Sequence, residues 1–206
     1  MKYIFVAGAP GSKWSSVVKN IYYSTDIDRS DYSDARTYYH DASGKRELMH
    51  LGAYFDPGME FGRLFHRLSM YDKETLEKDF DAPFSGEGVR IIKSHVFANH
   101  IDHLKALWPE CPVVLVHRDD DACLGWWVKC GHFDITYPAY TEYYRDLKTM
   151  AGIIREQNDG IQTAAWKYPR RQPQTNQELA RILDIAQPPE EYYQTYVQNN
   201  IRVRVI

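Results

Sequence analysis

The chain is expected to be an α/β protein with a mainly parallel sheet of about five strands covered by helices. Three observations predict this. Short apolar runs at 3–7, 89–93 and 113–117 have the length and β-branched content of buried strands. Between them lie stretches with apolar residues spaced three and four apart, the spacing of helices packed on one face. Turn or cap residues follow each run directly, so strand and helix alternate along the sequence. At 206 residues the chain fits a single domain spanning 1–206, with a sizeable core.

Taken in order, residues 3–7 form the first strand, and Gly8-Ala9-Pro10-Gly11-Ser12 breaks it with residues that tolerate sharp turns. Lys13, Ser15 and Ser16 precede a helical pattern that opens with Val17, Val18, Ile21 and Tyr22. Residues 24–47 are rich in Asp, Ser and Arg and read as an irregular excursion. Phe61, Leu64, Phe65, Leu68 and Leu76 carry helical periodicity through 59–79, and 81–88 is turn-rich. A strand at 89–93 precedes a helix at 99–108, stopped by Pro109 and Pro112. After the strand at 113–117, Asp119, Asp120 or Asp121 can cap a helix over 121–129. A long amphipathic helix at 141–157, a last strand at 161–166 and a helix at 176–183 complete the reading.

Composition narrows the function. The net charge of −3 argues against a general nucleic-acid binder, and no apolar stretch is long enough for a transmembrane helix. The first residues lack the pattern of a signal peptide. Cys111, Cys123 and Cys130 form an odd set without metal-type spacing, which suggests reduced thiols in the cytoplasm. His95, His100 and His103 do not form a standard zinc set, and no metal is expected. Tyr137, Tyr140, Tyr143, Tyr144, Tyr192, Tyr193 and Tyr196 could line a binding face, although half-buried structural tyrosines are commoner.

In parallel sheets ligands sit at the carboxyl ends of strands. Three such ends deliver Gly8–Ser16, Ser94-His95 and Arg118-Asp119 to one crevice. A Gly-rich turn opening a helix aims backbone N–H groups at an anion. Arg118 offers a rigid fork for a phosphate, His95 a general base that titrates near neutrality, and Lys13 a charge for a leaving oxygen. Lys93 is the next candidate for that cationic role. The formal P-loop spacing is not met, because Gly8 and Gly11 are three apart and Ser12 precedes Lys13.

The segments APGSKWSS (9–16), IIKSHVFANHIDHL (91–104) and VVLVHRDDDACLGWW (113–127) resemble three motifs of the sulfotransferases that use 3′-phosphoadenosine 5′-phosphosulfate (PAPS). The resemblance covers roughly residues 2–130. It implies a P-loop-type three-layer α/β/α fold and a cytoplasmic transferase. It implies sulfuryl transfer from PAPS to a hydroxyl or amine on a small-molecule or glycan acceptor, without nucleic acid or membrane. The product would be adenosine 3′,5′-bisphosphate. The residues implied in catalysis are His95, Lys13 and Lys93. Those implied in donor binding are Gly11, Ser12, Lys13, Trp14, Ser15, Ser16 and Arg118. Trp14 could stack on adenine. Lys167, Arg170 and Arg171 could replace a basic C-terminal segment of the family, or could form a solvated run.

The chain departs from the family at the first motif, which reads Gly-Ser-Lys instead of Lys-Ser-Gly, and at Gly125, where a 3′-phosphate serine is expected. Acceptor pockets in this class come from variable loops, here 24–60 and 131–145. Two other readings stay open. One is a Mg-ATP-dependent kinase, with Asp119, Asp120 and Asp121 as the metal-holding acids. The other is a catalytically silent nucleotide-binding module.

Overall fold

The computed structural model describes residues 1–31, 37–39, 47–49, 51–55, 65–129, 146–189 and 200–206. The tyrosines proposed to line a binding face, Cys130, Phe61, Leu64 and most of the two acceptor-loop regions lie outside these residues. Strand β1 (Tyr3–Gly8) is buried along its whole length. The five-stranded sheet explains this, because β1 is its central strand. The order runs β4 (Ala53–Tyr54), β5 (Arg90–Lys93), β1, β6 (Val113–His117), β7 (Arg202–Val205). The first four are parallel, and β7 pairs antiparallel with β6 at the edge. A separate antiparallel pair joins β2 (Thr37–Tyr39) to β3 (Glu47–Met49) within the polar excursion.

Alternation along β1 divides the core in two. Tyr3, Phe5 and Ala7 pack with residues of α2 (Lys73–Asp81), α3 (Ile101–Leu107) and α5 (Leu147–Lys167). Ile4 and Val6 pack instead with α1 (Trp14–Tyr22) and α6 (Asn176–Ile182). On α1 the buried residues Trp14, Val17, Val18, Ile21 and Tyr22 recur at helical spacing, so one stripe covers the sheet. A further helix, α4 (Asp120–Lys129), packs Cys123 and Trp127 against Met150 and Ile154 of α5. Among the described residues no helix is long and apolar enough to cross a membrane.

Several expectations need correction. Residues 161–166 are not a strand but the last turns of α5, where Ile161, Ala164 and Ala165 continue the buried spacing begun at Met150, Ile154 and Asn158. Gly160 lies inside the helix. A Cβ there would stand 2.3 Å from the Ala98 carbonyl, so glycine lets α5 approach the 3-10 segment Val96–Asn99 closely. The described part of the periodicity expected at 59–79 is a 3-10 segment, Phe65–Met70, followed by α2. Strands β4 and β7 were not expected.

Candidate functional site

Because β5, β1 and β6 are neighbours, their carboxyl ends lie side by side and bring Lys93, Gly8 and His117 to one edge. The loop after β1 is shaped by two left-handed residues, Gly11 at φ 78° and Lys13 at φ 62°. At Gly11 a Cβ would stand 2.0 Å from the Cys123 carbonyl oxygen of α4, so any other side chain displaces loop or helix. Inside the loop the Ser12 N–H donates to the Ala9 carbonyl at 3.0 Å, and the Ser16 N–H to Lys13 at 2.9 Å. Helices α2, α5 and α6 are capped by the side chains of Asp72, Asp146 and Thr175. Helix α1 has no side-chain cap, so the positive end of its dipole meets this loop without a side-chain acceptor. Ser15 and Ser16 are half-buried in its first turn.

His95 follows β5 and is 3% exposed. Its Nδ1 is hydrogen-bonded to the Gly8 carbonyl, which only accepts. The proton therefore sits on Nδ1, and in the neutral ring Nε2 holds the lone pair. Trp14 stacks on the imidazole with centroids 4.0 Å apart, and Tyr54 meets it edge-on at 5.8 Å. Ser94 starts the next turn, accepting the Val96 N–H at 3.0 Å. Lys93 is fully buried, its Nζ 5.4 Å from the Trp14 ring centroid and 5.2 Å from that of Tyr54. Lys13 leans the other way, with Nζ 4.0 Å from the Trp126 ring on α4.

Arg118 reaches across the loop and donates from Nη1 to the Gly11 carbonyl at 3.2 Å. Among the described residues its Nε, which is buried, has no hydrogen-bond partner, and neither does the buried Ser12 hydroxyl oxygen. The Arg118 main chain is fixed from behind, its carbonyl accepting from Asn158 Nδ2 at 2.8 Å and Cys123 Sγ at 3.3 Å. Burial pushes the Cys123 thiol up to about 12, against the lowering effect of Arg118, so it is an inert packing group. Two of the three aspartates of the acidic run are engaged by other side chains. Asp119 stands 3.5 Å from Arg202, and Asp120 accepts from Asn158 at 2.6 Å and lies 3.9 Å from Arg155.

Gly11, Ser12, Lys13, Ser15, Ser16, Lys93, His95 and Arg118 are thus brought together at one edge. Three expected donor-binding residues are not available there. Trp14 is 4% exposed and its face is taken by His95, so it orients the imidazole and has no free face for adenine. Lys167 lies nine residues down α5 from Asn158, about 13 Å at the rise of a helix, and pairs with Asp102 at 2.6 Å. Arg170 lies next to Arg171, whose backbone pairs with Val205 beside Val114 at the start of β6. A cavity of about 630 Å³ at that opposite edge is lined by Lys105, Glu110, Arg170, Arg171 and Asp184 among others, and by none of the crevice residues. Gly125 is exposed, and a Cβ there meets nothing within 4 Å. His103 is held 3.1 Å from the Tyr71 carbonyl on α3. Sequence reasoning missed Tyr54 and Asn158, which no local motif marks.

Comparison of the chain with protein-family models, with curated proteins and with solved structures gives no match.

Proposed function

We propose that the chain is a P-loop-type three-layer α/β/α transferase that moves a sulfuryl group from PAPS to a hydroxyl or amine on a small-molecule or glycan acceptor. The observation that carries this reading is the bond between His95 Nδ1 and the Gly8 carbonyl. It ties a general base, with its lone pair on Nε2, to the first residue of an anion-cradling loop. The residues fit the donor. The uncapped start of α1 suits a 5′-phosphate, and the orphaned Arg118 Nε and Ser12 hydroxyl are buried polar groups that a phosphate would satisfy.

In the reaction the acceptor oxygen or nitrogen forms a bond to sulfur while the sulfur–oxygen bond to the phosphate breaks. His95 Nε2 takes the acceptor proton, and adenosine 3′,5′-bisphosphate leaves. Lys93 or Lys13 offsets charge growing on the bridging oxygen. Asp119 and Asp120 are engaged with Arg202, Arg155 and Asn158, which disfavours the Mg-ATP reading in which they hold the metal. Buried free thiols at Cys111 and Cys123 suit a cytoplasmic setting. Thermal denaturation with adenosine 3′,5′-bisphosphate, ATP and Mg²⁺ tests the assignment. Stabilisation by the bisphosphate without metal supports it. Stabilisation by Mg-ATP alone selects the kinase reading.

A further inference from the structure

A second group of cations gathers on the edge strand, and simple alternation places it. In the β6–β7 ladder His117 faces Arg202 and Leu115 faces Arg204, while Val116 and Val114 face Val203 and Val205. Opposed residues share a face of the sheet. Val203 and Val205 belong to the core beneath α1 and α6. His117, Arg202 and Arg204 therefore project to the other face, the one on which Leu115 packs with α5 residues. Arg171 exchanges both backbone hydrogen bonds with Val205 along the outer side of β7. The residue before it, Arg170, is thereby turned to the face of Arg204.

Among the described residues, two polar atoms in this patch lack partners. His117 is 4% exposed and its Nδ1 is buried without a hydrogen bond, and Arg204 Nε is buried in the same condition. Among the described residues, the carboxylates that border the patch are already engaged. Asp119 stands 3.5 Å from Arg202, and Asp120 is engaged by Asn158 and Arg155. Burial, then repulsion from Arg170 and Arg202, holds the Arg204 guanidinium below its usual value. Burial and the Arg202 charge also push the His117 imidazole down, so the ring is neutral at pH 7 and adds no further repulsion. Guanidinium groups near enough for the charges of Arg170 and Arg202 to act on Arg204, which has an unmet donor, suit a tetrahedral oxyanion. We propose that Arg170, Arg202, Arg204 and His117 form an oxyanion-binding site for a phosphate or sulfate group, separate from the crevice. The two sites diverge at consecutive residues, since Arg118 turns to the Gly11 carbonyl and His117 to Arg202. Trp166, 78% exposed with the Arg170 guanidinium 5.2 Å from its ring, gives the rim an apolar face on which a sugar bearing that group can rest.

Calorimetric titration with inorganic sulfate, inorganic phosphate and a sulfated disaccharide, at constant ionic strength, tests the site. The arginine Nε–H resonances in ¹H–¹⁵N spectra report where each probe binds. A saturable shift of the Arg204 Nε–H is expected with at least one probe. R204Q should weaken binding roughly ten- to a hundredfold, the effect of losing a hydrogen bond between charged groups. The exposed R202Q should weaken it in the same direction without risk to the core, whereas R118Q should leave it intact. Tighter binding of the disaccharide, reduced by W166A, assigns the group to a saccharide. Equal binding of the inorganic ions, insensitive to W166A, assigns it to a free anion. A linear, unsaturated response of Arg204 to every probe overturns the proposal, and so does binding that survives both R204Q and R202Q.

Discussion

With Nδ1 of His95 committed to the Gly8 carbonyl, a substitution can keep that contact and still remove the base. His95→Asn places an amide N–H where Nδ1–H was and has no proton acceptor equivalent to Nε2. It should lower turnover by roughly 10²-fold or more, with little change in affinity for adenosine 3′,5′-bisphosphate; kinetics and calorimetry on one preparation check both. The two lysines separate by the same logic. Lys93 is fully buried beside Trp14, whereas Lys13 rests on Trp126. Lys93→Met should cost about 10²-fold in kcat, and Lys13→Met clearly less. Arg118→Lys cannot reproduce the guanidinium fork and should weaken adenosine 3′,5′-bisphosphate by about 1.5–3 kcal/mol. The resemblance assigns the 3′-phosphate to Arg118, so adenosine 5′-monophosphate, which lacks that phosphate, should bind this variant almost as well as it binds the parent; equal losses for the two nucleotides would remove that role.

At the scale of elements, the loop between β1 and α1 is held open by one glycine. Gly11→Ala forces a left-handed residue and a Cβ 2.0 Å from the Cys123 carbonyl, so it should cost at least about 1–3 kcal/mol in urea unfolding. The elements that could be read from sequence were those buried on both faces. Strands β1, β5 and β6 announce themselves as apolar runs, and the residues following them, His95 and Arg118 among them, could be placed with them. Elsewhere the local signal was overruled by tertiary contact. The close approach of Gly160 to the Ala98 carbonyl, which joins α5 to a segment distant in sequence, has no local signature. Strand β4 has two residues and exists through its pairing with β5. Strand β7 does carry an Arg-Val-Arg-Val alternation, a legible period that was not used. Trp14 was placed correctly but given the wrong partner, because a ring beside a phosphate loop says nothing of the imidazole arriving from β5.

For the whole molecule, acid stability depends on the edge of the sheet far from the crevice. Asp81, at the end of α2, is joined to Lys2 at 2.7 Å, to the Tyr3 hydroxyl at 2.7 Å and to Arg90. Burial raises the Asp81 pKa, but hydrogen bonds from Lys2, Tyr3 and Arg90 outweigh it, and the carboxyl sits below its usual value. A lowered carboxyl pKa contributes stability that is complete above the unfolded value, about 3.9. That stability is lost as pH falls through the folded value. Urea unfolding between pH 6 and about 2 should show stability declining below pH 4, and Asp81→Asn should flatten that part of the profile.

The sheet order also bears on how the chain is made. Of the strands in this sheet β1 is synthesised earliest, yet its neighbours are residues 90–93 and 113–117, so its pairing is complete only when both have left the ribosome. Until then Tyr-Ile-Phe-Val-Ala keeps an unpaired backbone edge and apolar faces, the kind of surface that chaperones cover. Nascent chains halted before β6 should therefore be retained by chaperones or aggregate, and those extending past it should be released.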